Sequence, residues 1–378
     1  MQIAIPRERA PGENRVAMVP DVATRLIGVG HSVTIEAGAG RAAHFSDEQY
    51  RDRGVEVNSS LDELYSRAGV VCKVQAPTVD EISQFRSDTV LVSLYQPTAD
   101  PAVAQALAER RVTSFSLDLL PRISRAQSMD ALSSQANVSG YRAALLAAQY
   151  LPKFFPMLMT AAGTVPPAKV LVLGAGVAGL GAIATARRLG AIVRGHDVRV
   201  AAKEEVESLG AIFVPLALES QEGAGGYARA QSEDFLTRQR ELITVEVIGA
   251  DAVISTAAIP GRTAPVLITA DMVSKMAAGS VIIDIAAESG GNCELSIPGE
   301  VVVHHGVQIV GTKNLPSTMA VHASFLYARN IAEFVAILAT KGALSLDFDD
   351  EILAATCVTH DGAVRHEPTR AIQEEVQL

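Results

Sequence analysis

The chain has no tryptophan, and phenylalanine and tyrosine together make up only 4% of it. Its 48% hydrophobic content is therefore mostly alanine, valine, leucine and isoleucine. That composition suits buried parallel strands and the helices that cover them. Cysteine is also scarce. Cys72, Cys293 and Cys357 are odd in number, far apart and form no CxxC motif, which argues against a disulfide framework or zinc site and for a reducing compartment. Basic charge is in deficit, with 32 Lys and Arg against 42 Asp and Glu and a formal net charge of −10. A nucleic-acid partner would need a basic face and is not expected. Small anionic ligands stay open, because backbone N–H groups can bind them. Long hydrophobic runs are missing too. The longest uncharged stretch, Val170–Ala186, has 17 residues. Five of them (Gly174, Gly176, Gly179, Gly181 and Thr185) are glycine or polar, so the stretch reads as strand, turn and helix start, not as a membrane span. The opening MQIAIPRERAPGENR is charged almost at once, and no leader peptide is expected. No nucleophile triad, paired-carboxylate site or metal cluster is recognisable, so the expected metal set is none.

What is present is alternation. With 378 residues and ~100–200 residues per domain, two or three domains are expected. Apolar, β-branched runs at Gln2–Pro6, Ser32–Glu36, Val70–Val74, Val90–Tyr95 and Val112–Leu117 alternate with helix-like stretches such as Val22–Val29 and Pro101–Arg110. Asp100 before Pro101 reads as an N-cap. An Ala- and Leu-rich stretch over Ser133–Ala162 predicts a long helix passing between domains. A second series follows at Val170–Leu173, Ile192–His196, Ala211–Pro215, Ala252–Thr256, Val281–Ile285 and Gln308–Val310. Ala323–Lys341 reads as a returning helix, Ala343–Leu378 as the completion of the first domain, and Arg370–Leu378 as a frayed tail. The expected fold is α/β: two Rossmann-like domains with parallel sheets, a cleft between them, joined by long helices. The expected division is 1–132 plus 322–378 for the first domain and 133–321 for the second.

The chemistry-bearing motif lies in Lys169–Leu189, KVLVLGAGVAGLGAIATARRL. A strand runs into Gly174-x-Gly176-x-x-Gly179, and a helix follows. Gly174 permits a tight turn, Gly176 lets backbone approach a pyrophosphate, Gly179 allows close helix–strand packing, and the helix N-terminus faces the anion. A lone GxGxxG also fits an ordinary turn. Here the strand precedes, the helix follows, and an acid, Asp197, ends the next strand 23 residues after Gly174, near the ~20 expected. A carboxylate there accepts hydrogen bonds from a ribose 2′-OH and repels a 2′-phosphate, favouring NAD(H) over NADP(H), although Arg199 stands close enough to soften that repulsion. The residues expected to contact the nucleotide are Gly174, Gly176, Val177, Gly179, Asp197, Val198, Arg199, Gly226, Thr256, Ala257 and Ala258. The small residues of Ser255–Gly261 suit a wall beside adenine or ribose, or a plain strand-to-helix turn.

Three further segments carry polar groups. Leu120–Ser134, LPRISRAQSMDALSS, holds Arg122, Arg125, Gln127, Asp130 and Ser133. They are expected to face the cleft, though Asp130 or Ser128 would equally cap the following helix. Gln221–Arg229, QEGAGGYAR, sets three glycines before Tyr227. That fits a lid over a ligand or a surface loop. Arg15 and Lys73 lie near strand ends and could hold a carboxylate, although isolated cations are more often solvated.

Read together, IAIPRER and RVA near the start, PRISRAQSMDALSS, AAGTVPPAKVLVLGAGVAGL, VESLGA, GAGGYA, AAIPGRTAPVLIT, GSVIIDIAAESGGNCELS and ATCVTHDGAV closely resemble one family across nearly the whole chain. It is the NAD(H)-binding component, domain I, of proton-translocating NAD(P)+ transhydrogenase, in its soluble alpha-subunit form. The resemblance implies that the loop carrying Arg122, Gln127 and Asp130 positions the dihydronicotinamide ring. It makes Ser133 a companion polar contact, Tyr227 the mobile-loop tyrosine, and Asp197 the acid on the adenosine ribose. It also implies a homodimer meeting a partner domain that binds NADP(H), membrane subunits that move the proton, and a cytoplasmic chain peripheral to the inner membrane. Hydride passing directly between two nicotinamides needs no protein acid or base, consistent with the missing machinery.

Alanine dehydrogenase shares the layout and, by resemblance, the Arg15 and Lys73 positions. Its catalytic histidine is missing: the matching stretch is Leu91–Pro97 with Gln96 in that place, and no histidine lies between His44 and His196. Amine oxidation needs a proton acceptor. A non-catalytic NAD(H) sensor signalling through the Tyr227 loop is the remaining alternative.

Overall fold

The computed structural model describes residues 1–215, 233–258, 262–340 and 343–377. The chain divides into two compact units, 1–135 with 317–378, and 136–316.

The first unit begins β1 (Gln2–Ile5), α1 (Pro20–Gly28), β2 (Ser32–Glu36), α2 (Asp47–Arg51), β3 (Glu56–Asn58), α3 (Leu61–Arg67) and β4 (Val70–Cys72). It continues with α4 (Val79–Gln84), β5 (Val90–Ser93), α5 (Pro101–Glu109) and β6 (Thr113–Ser116). Local chemistry sets the helix starts. Ser46 with Gln49 and Thr78 with Glu81 form capping boxes, and α1 opens on Pro20. Pro101 likewise opens α5, but the Asp100 side chain makes no capping bond. α6 (Ala131–Tyr150) contains the boundary between the units.

The second unit carries a hairpin, β7 (Leu158–Thr160) and β8 (Gly163–Val165), then β9 (Lys169–Leu173), α7 (Val177–Arg188), β10 (Ile192–His196), α8 (Ala202–Ser208) and β11 (Ile212–Phe213). After α9 (Glu233–Gly249) come β12 (Ala252–Ser255), α10 (Ala270–Lys275), β13 (Val281–Asp284), β14 (Val301–His304) and β15 (Val307–Gly311). The first unit is completed by α11 (Ala320–Ile337), a short pair β16 (Ala339–Thr340) and β17 (Ala343–Leu344), α12 (Glu351–Thr356), β18 (Cys357–His360), β19 (Ala363–Val364) and α13 (Glu367–Gln377).

The first sheet has the order β19-β18-β6-β5-β4-β1-β2-β3. It is parallel from β3 to β6, and β18 joins β6 antiparallel. Buried apolar clusters cover both faces. One joins Ile3, Ile5, Ile35 and Phe115 to Tyr327 and Phe334 of α11. The other joins Val71 and Leu91 to Tyr65 and Phe85. Phe334 is fully buried, worth about 1.5–3 kcal/mol.

The second sheet has the order β11-β10-β9-β12-β13-β15-β14, parallel throughout except for β14. The order reverses between β9 and β12, the point in a doubly wound sheet where ligands bind beyond the strand ends. His196 and Ser255 both pair Leu173, so three strands deliver their last residues to one rim.

Several elements depart from the sequence expectation. The helix expected over Ser133–Ala162 stops at Tyr150. Pro152 and Pro156 lack the N–H that a continuing helix needs, and the chain forms the β7–β8 hairpin instead. The tail expected to fray is the helix α13, fixed by Gln373 Nε2 donating to Pro101 O at 2.7 Å and by the fully buried Thr369. β3, the antiparallel edge strand β14, and β18 with β19 have no counterpart in the sequence expectation.

Candidate functional site

The glycine turn follows β9 directly. Gly174 has φ +92°, a left-handed conformation suited to glycine. Its N–H donates to His196 O at 2.8 Å, tying the ends of β9 and β10. Gly179 lies against this turn so closely that a Cβ would sit 1.8 Å from Gly174 O. Thr256, just past β12, donates from Oγ1 to Gly174 O at 3.0 Å. α6 presses α7 from another side: a Cβ on Gly140 would fall 2.0 Å from Ala178 O.

Gly176 is different. It caps α7 with no side-chain hydrogen bond, and among the described residues a Cβ there would meet nothing within 4 Å. Two glycines are forced by backbone contact, and the third faces open space at the start of a 12-residue helix. That open start is the part of the turn a diphosphate would approach, with the macrodipole and uncapped amides favouring negative charge. The residues present fit a dinucleotide. Val177 is exposed beside it.

Asp197 ends the β10 segment. Its Oδ2 accepts the Ala175 N–H at 2.7 Å and Arg199 Nη2 at 2.8 Å. Its Oδ1 accepts the Arg199 N–H and Nε, both at 2.9 Å. Burial alone would raise this carboxyl, but the Arg199 hydrogen bonds and charge, with the Ala175 amide, hold it below its ordinary value. Val198 is half-buried between the pair. His196 beside it is no acid or base. Burial lowers its imidazole, Gln239 Nε2 donates to its Nε2 at 3.0 Å, and its Nδ1 donates to Val214 O at 3.2 Å.

Sequence reasoning missed the brace behind Thr256–Ala258. Asp284, at the end of β13, is completely buried. It accepts Ser255 Oγ at 3.0 Å and the Ala286 N–H at 3.0 Å on Oδ1. On Oδ2 it takes the N–H groups of Asn292 and Cys293 at 2.8 and 3.0 Å and Ser296 Oγ at 2.7 Å. Asn292, also fully buried, then holds both polar atoms of the Ala257 backbone: Oδ1 accepts its N–H at 2.9 Å, and Nδ2 donates to its O at 2.7 Å. Nδ2 donates as well to Pro265 O at 2.8 Å. The one sequence signal was the Gly290–Gly291 pair before Asn292, both with positive φ.

The second unit thus brings together Gly174, Gly176, Val177, Gly179, Asp197, Val198, Arg199, Thr256, Ala257 and Ala258 at the ends of β9, β10 and β12. Gly226 and Tyr227 lie outside the described residues.

Arg122, Gln127, Asp130 and Ser133 belong to the first unit, between β6 and the start of α6. Asp130 caps α6: its Oδ1 accepts the Ser133 N–H at 2.8 Å and its Oδ2 the Ser133 hydroxyl at 2.6 Å. Arg122 is exposed just before a 3-10 turn over Ser124–Met129, and Gln127 is exposed within it. Three anchors fix that turn. Ala126 and Met129 are buried in the core. Asn330 of α11 donates to Ser128 O at 2.8 Å and accepts from Ser134 Oγ at 2.7 Å. Arg125 forks onto Asp350 at 2.7 and 2.8 Å, holding that carboxyl down at about 2.

Arg15 and Lys73 are not solvated surface cations, as isolated charges usually are; they are 5% and 1% exposed. Arg15 forks onto Glu13 at 2.8 and 2.7 Å and reaches Gln135 Oε1 at 2.9 Å. Lys73 Nζ lies 3.0 Å from Glu81 and 3.5 Å from Glu8. Burial raises the Glu8 carboxyl against the pull of Lys73. Internal carboxylates therefore engage both cations.

These features define a dinucleotide-binding α/β protein with a second Rossmann-like unit. Comparison with known proteins narrows it. Residues 4–139 match the alanine dehydrogenase/PNT N-terminal domain, and residues 143–367 match the C-terminal domain of the same family. The chain belongs to the alanine dehydrogenase/PNT family. It is 49% identical over 376 residues to an NAD(P) transhydrogenase subunit alpha chain of Rhodospirillum rubrum, covering 97% of this chain and 98% of that one. A crystal structure of transhydrogenase from Sinorhizobium meliloti superposes with a TM-score of 0.85 at 41% identity, covering 97% of this chain and 99% of that one. Alanine dehydrogenase of Bacillus subtilis is more distant, at 30% over 97% of this chain and 93% of that one.

Proposed function

We propose that this chain is the NAD(H)-binding alpha-subunit component of proton-translocating NAD(P)+ transhydrogenase. It takes part in NADPH + NAD+ ⇌ NADP+ + NADH by direct hydride transfer. The observation that carries this reading is the 49% identity to a transhydrogenase alpha chain over 97% of the sequence. NADP(H) sits on a partner domain, and partner membrane subunits move the proton. The chain is cytoplasmic and peripheral to the inner membrane; among the described residues no helix is long and apolar enough to cross a membrane. It works as a homodimer, for which the exposed apolar side chains of Phe154, Met157, Leu158, Met159 and Val165 at the β7–β8 hairpin supply a sticky surface.

When bound, the nicotinamide ring supplies the hydride chemistry. The chain's residues bind and orient. Amides at the start of α7 hold the diphosphate, and Asp197 holds the adenosine ribose. Arg122, Gln127, Asp130 and Ser133 align the ring, on a turn whose anchors suit it to positioning. Tyr227 and Gly226 contribute to nucleotide binding. Direct transfer asks for no protein general base, consistent with Gln96 where alanine dehydrogenase resemblance would place histidine and with the internal engagement of Arg15 and Lys73. No observation favours the amino-acid dehydrogenase or sensor readings.

Mixing the purified chain with an NADPH-binding transhydrogenase domain should give hydride transfer from NADPH to an NAD+ analogue. Gln127→Asn should slow single-turnover transfer by about tenfold to a hundredfold with NADH affinity nearly unchanged, since only alignment is lost. An unchanged rate would remove Gln127 from the site. Asp197→Ala should weaken NADH binding by about tenfold, on the order of one charge-assisted hydrogen bond. Equal dissociation constants for variant and parent would count against the ribose contact.

A further inference from the structure

The two oxygens of a carboxylate offer about four acceptor positions, and Asp197 already receives four donors. Three come from one residue: the Arg199 N–H and Nε at 2.9 Å on Oδ1, and Nη2 at 2.8 Å on Oδ2. The fourth is the Ala175 N–H at 2.7 Å. The two side chains are only 7% and 18% exposed, so water screens their forked, charge-assisted contact weakly. A ribose diol needs the same oxygens. The Ala175 and Arg199 amides belong to the turns after β9 and β10 and cannot leave without undoing them. The guanidinium, on a flexible stem, can.

We propose that Arg199 sets the nucleotide specificity of this crevice by a two-way competition with Asp197. The Arg199 guanidinium contends with the ribose hydroxyls for Asp197 and so restrains NAD(H) affinity. Asp197 in turn keeps Arg199 clasped and away from a 2′-phosphate, for which an arginine fork is a natural partner. The local pair is close to neutral, and its selectivity rests on which member is engaged. This rests on the reading of the crevice as an adenine-dinucleotide site.

The test is calorimetric titration of the full chain with NADH and with NADPH. The parent, Arg199→Ala, Asp197→Asn and the double variant are compared. Arg199→Ala should bind NADH about threefold to tenfold more tightly, because a charge-assisted contact no longer has to be broken. Asp197→Asn, which is isosteric, should bind NADPH at least about tenfold more tightly than the parent while losing NADH affinity. The double variant should lose that NADPH gain. NADH affinity unchanged or weakened in Arg199→Ala would overturn the competition. So would an Asp197→Asn variant with no NADPH gain, or a double variant that keeps the gain. A parent that binds neither nucleotide would instead defeat the crevice assignment itself, and these two failures are told apart by the parent titration alone.

Discussion

Gly179→Ala should reduce NADH affinity by about a hundredfold, the order expected for losing one or two charge-assisted hydrogen bonds to the diphosphate. The new methyl would sit 1.8 Å from Gly174 O and 2.8 Å from Gly174 C. Both atoms are backbone, so no side-chain rotation relieves the contact. α7 has to retreat from the β9 turn, or the turn has to leave its left-handed conformation. Either way the Thr256 bond to Gly174 O is strained, and the helix start no longer addresses the diphosphate. Thermal stability should fall as well, because α7 packs on the sheet through this contact. Gly176→Ala is the control that separates the two effects. Its methyl meets no atom of the described residues within 4 Å, so the melting temperature should hold while the affinity falls, the methyl standing where a diphosphate comes closest. If Gly176→Ala bound NADH as tightly as the parent, the diphosphate would have to lie elsewhere.

Asp284→Ala should destabilise the second unit more than any substitution on the crevice surface. The change leaves two hydroxyls and three backbone N–H groups without an acceptor in a fully buried place. Each orphaned donor costs about 1–3 kcal/mol. Water entering the space and local shifts would recover part of the sum. A net loss of about 4–6 kcal/mol is expected, which lowers the melting temperature by about 10–20 °C in a unit of this size. Asp284→Asn keeps one acceptor oxygen but turns an NH2 toward donors, so it should cost about half as much. Calorimetric unfolding checks both. Melting within about 2 °C of the parent for Asp284→Ala would mean that the network is idle. Since Asn292 relays the brace to both polar atoms of the Ala257 backbone, surviving Asp284→Asn protein should also bind NADH more weakly.

The contrast between these two sites explains what the sequence reveals and what it hides. The glycine turn is local: strand, turn and helix occupy Lys169–Arg188 in succession, so residue order alone exposes it. The same holds for the strands Ser32–Glu36 and Ile192–His196, which occupy the expected residues. The Asp284 brace is non-local. Ser255 and Asp284 are 29 positions apart, and Ala257 and Asn292 are 35; nothing in the spacing announces that they meet. Arg199 is legible as a neighbour of Asp197, but not as the residue that fills its acceptor positions. Arg15 and Lys73 look like surface charges until the fold buries them, Arg15 with its neighbour Glu13 and Lys73 with Glu8 and Glu81. The helix after Ser133 looks longer in sequence than it is because alanine and leucine dominate the stretch, although Pro152 forbids its continuation. α13 is hidden because its sequence is polar, and only its packing against α5, through Gln373 and Pro101, shows why it is ordered.

An adenine dinucleotide is expected to lie across the ends of β9, β10 and β12. A crystal of the full chain grown with NADH tests it most directly. Diphosphate density is expected on the amides at the start of α7, beside Gly176, and adenosine ribose density within hydrogen-bond distance of Asp197. Diphosphate density away from Gly176, or a crevice filled by NADPH in preference to NADH, would contradict it.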